Sequence, residues 1–430
     1  MILAGSLCCL QFVVSPNISF AQTAAGSKPL ASVAEVQRVE EFLSSDELKG
    51  RAIFSEGLDK AADFIATEFR KAGLQPVSGS SYFQEFTINR NRFISASGTI
   101  NGLAVDPRNI VGFSSENEIK MDEKSGYKVE KIGVNDTLYT SMQRMLADSK
   151  NNYVVFVDNK HMRLFNSLKR FRREGAPMKN NVIAILTTES PTTYAVEFRQ
   201  EVTAMKMKNV VGILPGKKKK DEYVVFSGHY DHIGIGKPTA EGDSIYNGAN
   251  DDASGTTAVI MLAHHFAKQK NNERTILFAA FTGEETGGFG SKHFSGQYDP
   301  AKIMAMFNIE MIGTESKWGT NSAYITGYEK SDMGKILEKN LEGSDFKFYP
   351  DPYPDQNLFY RSDNATLARL GVPAHTISTS KMDSEKYYHT ADDEIGTLDM
   401  ENMARIIEAI AISSRSIVEG KDTPSRVSGL

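Results

Sequence analysis

Five short polar clusters hold the side chains best suited to chemistry. They are Gly228-His229-Tyr230-Asp231-His232, Asn250-Asp251-Asp252, Gly283-Glu284-Glu285, Asn308-Ile309-Glu310 and Tyr388-His389-Thr390. Histidines and carboxylates with no cysteine among them are the ligand set of a catalytic zinc site rather than a structural one. Singly, each cluster has an ordinary reading. Asp251 could cap a helix, Glu284 and Glu285 could be surface charge, and His389 could be a loop histidine. What favours a site is that each cluster follows an apolar run or lies between elements, so that all can meet at one edge of one sheet.

The residue types suit a two-metal centre. Two divalent ions carry four positive charges; Asp251, Glu285 and Glu310 supply three negative ones, with His229 and His389 neutral. The net charge of plus one is enough to hold a hydroxide, since a metal lowers the pKa of bound water from about 15.7 to roughly 7. Glu284 and Glu285 are adjacent and point in different directions, so one binds metal while the other serves as general base. Asp231, two residues after His229, is placed to accept the other ring N–H and fix the tautomer.

The clusters lie at the ends of apolar segments. Val224-Val225-Phe226, Thr275–Phe281 and Met304–Ile309 are continuous apolar strands. Gly255–Lys268 and Leu398–Val418 read as amphipathic helices. Buried strands alternating with helices predict an α/β fold, a mostly parallel (mixed) sheet covered on both faces. Ligands of such sheets bind beyond the carboxyl ends of the strands. Helices are also expected between Ser32 and Gln84, the second ending at Gly73. Residues 30–90 and 208–420 form this domain, interrupted by a mainly β module over 91–207, and 421–430 is expected to be a flexible tail.

Composition narrows the function. A net charge of −5 gives no electrostatic case for nucleic acid. Met1–Val14 is uncharged and largely apolar, and Ser19-Phe20-Ala21 offers small residues for a cut before Gln22, so 1–21 is expected to be a signal peptide. No Lys or Arg precedes the apolar run, which departs from the usual pattern. The expectation is a secreted or periplasmic protein without a stable membrane anchor. Cys8 and Cys9 lie in the segment expected to be cleaved, so the mature chain is expected to have no disulfide, thiolate metal site or cysteine nucleophile.

Taken in order, the five clusters resemble those of the secreted di-zinc aminopeptidases and their glutamate carboxypeptidase relatives. The resemblance begins at Ser45-Asp46-Glu47-Leu48-Lys49-Gly50-Arg51 and runs to Tyr388-His389-Thr390-Ala391-Asp392-Asp393. It implies two zinc ions bridged by Asp251. His229 and Glu310 would complete one site, Glu285 and His389 the other, and Glu284 would be the general base. It further implies peptide substrates with a free N-terminus, a substrate pocket near Phe359–Asp363 that includes Arg361, and a carbonyl-polarising role for Tyr388. Within the insert, Val154–Val157, Arg173–Ala176 and Val182–Ile185 are similar to a protease-associated module.

Two positions depart from the family. Glu310 replaces an aspartate, moving the carboxylate outward by about 1.5 Å, and Asn364 stands where a histidine is common. Competing readings are a carboxypeptidase, a glutaminyl-cyclase-like acyl transferase, and a non-catalytic peptide-binding ectodomain. Carboxypeptidase action needs cations for the substrate carboxylate, and Arg361 is the only candidate within a motif. His232 neighbours the site without being a ligand in the family pattern. His161, His264, His265, His293 and His375 are expected to be packing or surface residues.

Overall fold

The three apolar runs form the adjacent strands Lys219–His229, Arg274–Phe281 and Ile303–Ile309. Their register explains why they are apolar throughout. Phe226 lies opposite Phe278 and Phe307, while Val225 lies opposite Leu277 and Met306. Successive side chains point to opposite faces, so the phenylalanine row covers one face and the aliphatic row the other. Phe226 stacks on Phe266, Phe278 and Phe307 with ring centroids 5.4, 5.7 and 4.9 Å apart, each pair worth about 0.5–1.5 kcal/mol beyond its buried area.

This computed structural model describes residues 32–171 and 173–428. The expected signal peptide, with Cys8 and Cys9, lies outside them. Across the main sheet the order is Lys347–Pro350, Ser322–Ile325, Ala374–Ser378, Ile303–Ile309, Lys219–His229, Arg274–Phe281, Tyr194–Leu214 and Phe83–Ile100. Ala374–Ser378, Ile303–Ile309, Lys219–His229 and Arg274–Phe281 run parallel. Tyr194–Leu214 and Ser322–Ile325 pair antiparallel to their inner neighbours. The fold is the expected mixed α/β sheet flanked by helices.

Helix Ser254–Gln269 covers the phenylalanine face and packs against helices Val33–Leu43, Glu56–Lys71 and Met400–Val418. Phe294 and Leu367, from helices Phe289–Ser295 and Asn364–Ala368, join the core on the aliphatic face. Capping follows the sequence. Ser32, Ser55 and Asp399 accept from the backbone N–H of Glu35, Leu58 and Asn402.

The limits expected for the insert, 91 and 207, fall inside strands. Phe83–Ile100 and Tyr194–Leu214 form one antiparallel ribbon from Phe83 opposite Val210 to Ile100 opposite Tyr194. At its far end a smaller sheet is built from Ile110–Phe113, Val182–Leu186, Tyr153–Val157 and Lys128–Ile132. It also carries helices Leu138–Ala147 and Met162–Phe171. Met142, Met145, Phe165 and Leu168 pack on the Val155 and Val182 face, and Val154, Phe156 and Ile185 pack against Phe198 and Ile119 on the other. The small sheet is therefore covered on both faces.

The tail expected to be flexible is docked as far as Ser428. Arg274 donates to the carbonyl of Asp422 and to Thr423 Oγ1, and Arg426 donates to the carbonyls of Ile303 and Pro300. Ser425 and Asp332 exchange hydrogen bonds, and Val427 is buried. This segment binds as irregular chain, without the periodic pattern that marks an element in a sequence. Among the described residues, no helix is long and apolar enough to cross a membrane.

Candidate metal centre

The strand ends deliver three of the five clusters to one edge of the sheet. His229 ends its strand, Glu284 and Glu285 follow Phe281, and Glu310 follows Ile309. Asp251 lies in the turn before helix Ser254–Gln269. A Cβ on Gly255 would sit 2.1 Å from the carbonyl oxygen of Ile309. Glycine thus lets the helix start close against the strand end, which brings Asp251 and Asp252 beside Glu310. His389 arrives separately, on the loop between Ala374–Ser378 and Met400–Val418, with φ of 57°.

Two groups of potential ligand atoms converge: His229 with Asp251 and Glu310, and His232 with Asp251 and Glu285. Asp251 is common to both. Its Oδ1 is 3.2 Å from His229 Nε2, and its Oδ2 is 3.3 Å from His389 Nε2. His389 Nε2 is also 3.0 Å from Glu285 Oε2. The glutamate at 310 therefore reaches the cluster despite its extra methylene.

These side chains sit on peptides pinned by buried polar groups. Asp252 accepts from the backbone N–H groups of His229 (3.0 Å), Gly255 (3.0 Å) and Met311 (3.1 Å), tying three of the clusters together. Asn250 Oδ1 accepts from Gly313 N at 2.9 Å. Asp393 accepts from the N–H groups of Asn250 and Asp251 at 2.8 and 3.0 Å. The guanidinium of Arg51, fully buried, donates to the carbonyls of Tyr230, Asn247 and Gly248 at 2.8, 2.5 and 3.0 Å, and to that of Leu43. Arg51, Asp252 and Asp393 lie within the sequence motifs, but the motifs alone give them no role. Their signal was a charged residue inside a short Gly- or Asp-rich stretch, and the backbone partners it would have needed are not sequence neighbours.

A metal fits this cluster on two grounds. First, His229 Nε2, both ring nitrogens of His232, His389 Nε2, Glu285 Oε1 and Glu310 Oε2 are buried without a hydrogen-bond partner. Such orphaned atoms are costly unless something binds them. Second, the buried carboxylates strain against one another. Burial pushes Asp231 up to about 6 and Glu310 up to about 7, and holds Asp252 and Glu284 well above the usual range. Burial would raise Asp251 and Glu285 too, but neighbouring imidazoles hold both below it. A cation relieves this repulsion.

The remaining expectations meet mixed outcomes. His229 Nδ1 bonds to the backbone carbonyl of Asp231 at 3.0 Å, not to its carboxylate, whose Oδ1 is 3.8 Å away. That carboxylate accepts instead from the backbone N–H of Glu284 at 3.2 Å, so it holds the glutamate strand end. Tyr388 and Arg361 line the same pocket as Asp251, Glu284, Glu285 and Glu310, together with Met311, Leu358 and Met382. The Tyr388 ring stacks on that of His389, centroids 3.9 Å apart. Arg361 is exposed, with Nη1 3.4 Å from Gln356 Oε1.

Asn364 does not reach the pocket. It is buried, donates to the carbonyls of Phe359 and Ala374, and accepts from Thr376, bracing the turn below. His264 contacts Glu68, His161 the carbonyl of Gly133, His375 Thr326 and Ser331, and His293 stacks on Phe86; His265 packs edge-on against Phe266.

Residues 209–413 match the sequence model of peptidase family M28. A probable leucine aminopeptidase of Trichophyton verrucosum is 27% identical over 204 residues, covering 45% of this chain and 53% of that protein. A probable zinc metalloprotease of Pyrenophora teres f. teres is 39% identical over 106 residues, 24% of this chain and 22% of its own length. The chain spans about half the length of the leucine aminopeptidase relatives it matches. Among solved structures, the zinc aminopeptidase BSAP of Bacillus subtilis superposes with a TM-score of 0.54 at 16% identity, covering 92% of this chain and 97% of that one. An aminopeptidase from Aneurinibacillus sp. strain AM-1 gives 0.52 at 16% identity, covering 92% and 94%. At that identity these two likenesses show the fold.

Proposed function

We propose that this chain, which carries a domain of peptidase family M28, is a di-zinc aminopeptidase that removes N-terminal residues from peptides. The observation that carries the reading is the convergence of His229, Asp251 and Glu310, and of Asp251, Glu285 and His389, beside a pocket lined by Glu284. The names of the relatives, leucine aminopeptidase and zinc metalloprotease, support the same class.

Two zinc ions held by these two sets of residues would polarise a peptide carbonyl and acidify a water. Glu284 takes a proton from the attacking water and returns it to the departing amine. Burial, followed by the charges of Glu310, Asp363 and Glu285, raises its carboxyl and makes it a stronger base than a free carboxylate. Asp231 fixes the Glu284 backbone, and the Asp231 carbonyl fixes the His229 ring. Burial and the nearby carboxylates push the Tyr388 phenol up, so it stays protonated and can donate a hydrogen bond to the scissile carbonyl. Met311, Leu358 and Met382 offer an apolar wall to the first side chain of the peptide. Export belongs to the reading, with residues 1–21 as its support.

The test uses zinc-loaded protein and peptides with free or acetylated N-termini, products being followed by mass spectrometry. Stepwise loss from free N-termini only, absent in Glu284→Ala, is the expected result. Loss from the C-terminus would move the assignment to a carboxypeptidase.

A further inference from the structure

His232 is the one imidazole of the cluster that the family pattern leaves without a task. It is fully buried, and neither ring nitrogen has a hydrogen-bond partner. Nδ1 lies 2.8 Å from Glu285 Oε1 and 4.0 Å from Asp251 Oδ2. The ring is held in this place from behind. Its backbone N–H donates to the Arg51 carbonyl at 3.2 Å. It also packs against Gly248, where a Cβ would come within 2.5 Å of His232 Cγ and where φ is +58°. Glycine is needed there twice, for the backbone and for the ring.

His389 presents a contrast. Its side chain is 35% exposed and comes from a loop, although its Nε2 reaches the same two carboxylates. Its ring meets that of His232 edge-on, centroids 5.7 Å apart. Two imidazoles thus approach the Asp251–Glu285 pair from opposite backgrounds, one preset in the core and one brought in by a loop.

Resting on the di-zinc reading above, we propose that His232 is a ligand of the zinc site formed by Asp251, Glu285 and His389, giving that site a second imidazole. Four protein donors then surround this ion, while His229, Asp251 and Glu310 give the other only three. Closed four-donor sites hold metal for structure, and three-donor sites leave a position open for water or substrate. The asymmetry makes the His229–Glu310 side the open one.

X-ray absorption at the zinc edge, on the full chain loaded with zinc, counts imidazoles per metal directly. Three ligating histidines over two ions give about 1.5 imidazoles per zinc; two give about 1. The proposal expects the higher count with two zinc ions bound. It also expects His389→Ala to keep both ions at about 1 imidazole each, and His232→Gln with His389→Ala to lose one ion per chain. A wild-type count of about 1, with His389→Ala alone losing an ion, would overturn the role of His232 and leave the metal centre standing. Failure of the wild type to bind zinc would overturn both.

Discussion

The two walls of the crevice are built on different physical terms. One is the edge of the parallel sheet: His229 to His232, Ala249 to Gly255, Gly283 to Glu285 and Ile309 to Gly313. Its ligand-bearing peptides are pinned by Asp252, Arg51, Asn250 and Asp393. The other is made of loops. There Arg361 is exposed, Tyr388 is 38% exposed, and His389 is reached by one loop whose own bonds are local, such as Thr390 to the Tyr387 carbonyl. Beyond His389 the loop is tied into the sheet wall by Asp393, by Glu394, which accepts from Asn247, and by Asp399, which donates to the Gly313 carbonyl. The difference suggests a division of labour: the sheet wall sets the metal chemistry, and the loop wall meets the variable part of the substrate.

Substitutions should expose that division, and the largest effect belongs to the sheet wall. Glu284→Ala is expected to cut kcat by about 10³-fold while zinc content, read by elemental analysis, stays at the wild-type level. Retained turnover would remove Glu284 as the base. Next comes the strand beneath the wall. His375 is buried between Thr326 and Ser331, and burial pushes its imidazole down to about 4. Below about pH 6.5 the unfolded chain takes up a proton that the folded one refuses, so stability falls as pH drops from 6.5 to 4. The loss is of order 3 kcal/mol. His375→Gln should flatten that stretch of the stability–pH curve measured by denaturant unfolding.

Asp252→Asn tests the pinning itself. The amide keeps the size but replaces one of the two oxygens that accept from His229, Gly255 and Met311, and zinc affinity should weaken by about 10–100-fold in competition with a chelator. Equal affinity would mean that the sheet wall holds its ligands without this brace. The smallest effect is expected on the loop wall. Arg361→Ala should raise KM a few-fold, at a cost of less than about 1 kcal/mol, with kcat and zinc content unchanged. A large fall in kcat there would end the proposed division.

The same contrast governs how much the sequence disclosed. The central strands, the helix Ser254–Gln269 and the five polar clusters were legible, because burial on both faces leaves continuous apolar runs with chemistry at their ends. What escaped was long-range backbone hydrogen bonding. Nothing near Arg51 in the sequence points to the carbonyls of Asn247 and Gly248, and nothing near Asp252 points to the backbone of Met311. The His-x-Asp spacing points to the Asp231 side chain as partner of the His229 ring, whereas its backbone carbonyl is the partner; a motif specifies residues and not which of their oxygens turns inward. The docked tail escaped for a related reason: Arg426 and Val427 bind without periodicity.

Whether zinc held by this cluster gives the proposed aminopeptidase activity is decided by one titration. Metal-free protein is titrated with zinc while hydrolysis of a leucyl chromogenic amide and bound metal are measured together, with Glu284→Ala in parallel. Turnover is expected to appear only as zinc binds, to reach its plateau at two ions per chain, and to be lost in Glu284→Ala at the same occupancy. Turnover without zinc, or equal turnover in the two zinc-loaded proteins, would contradict it.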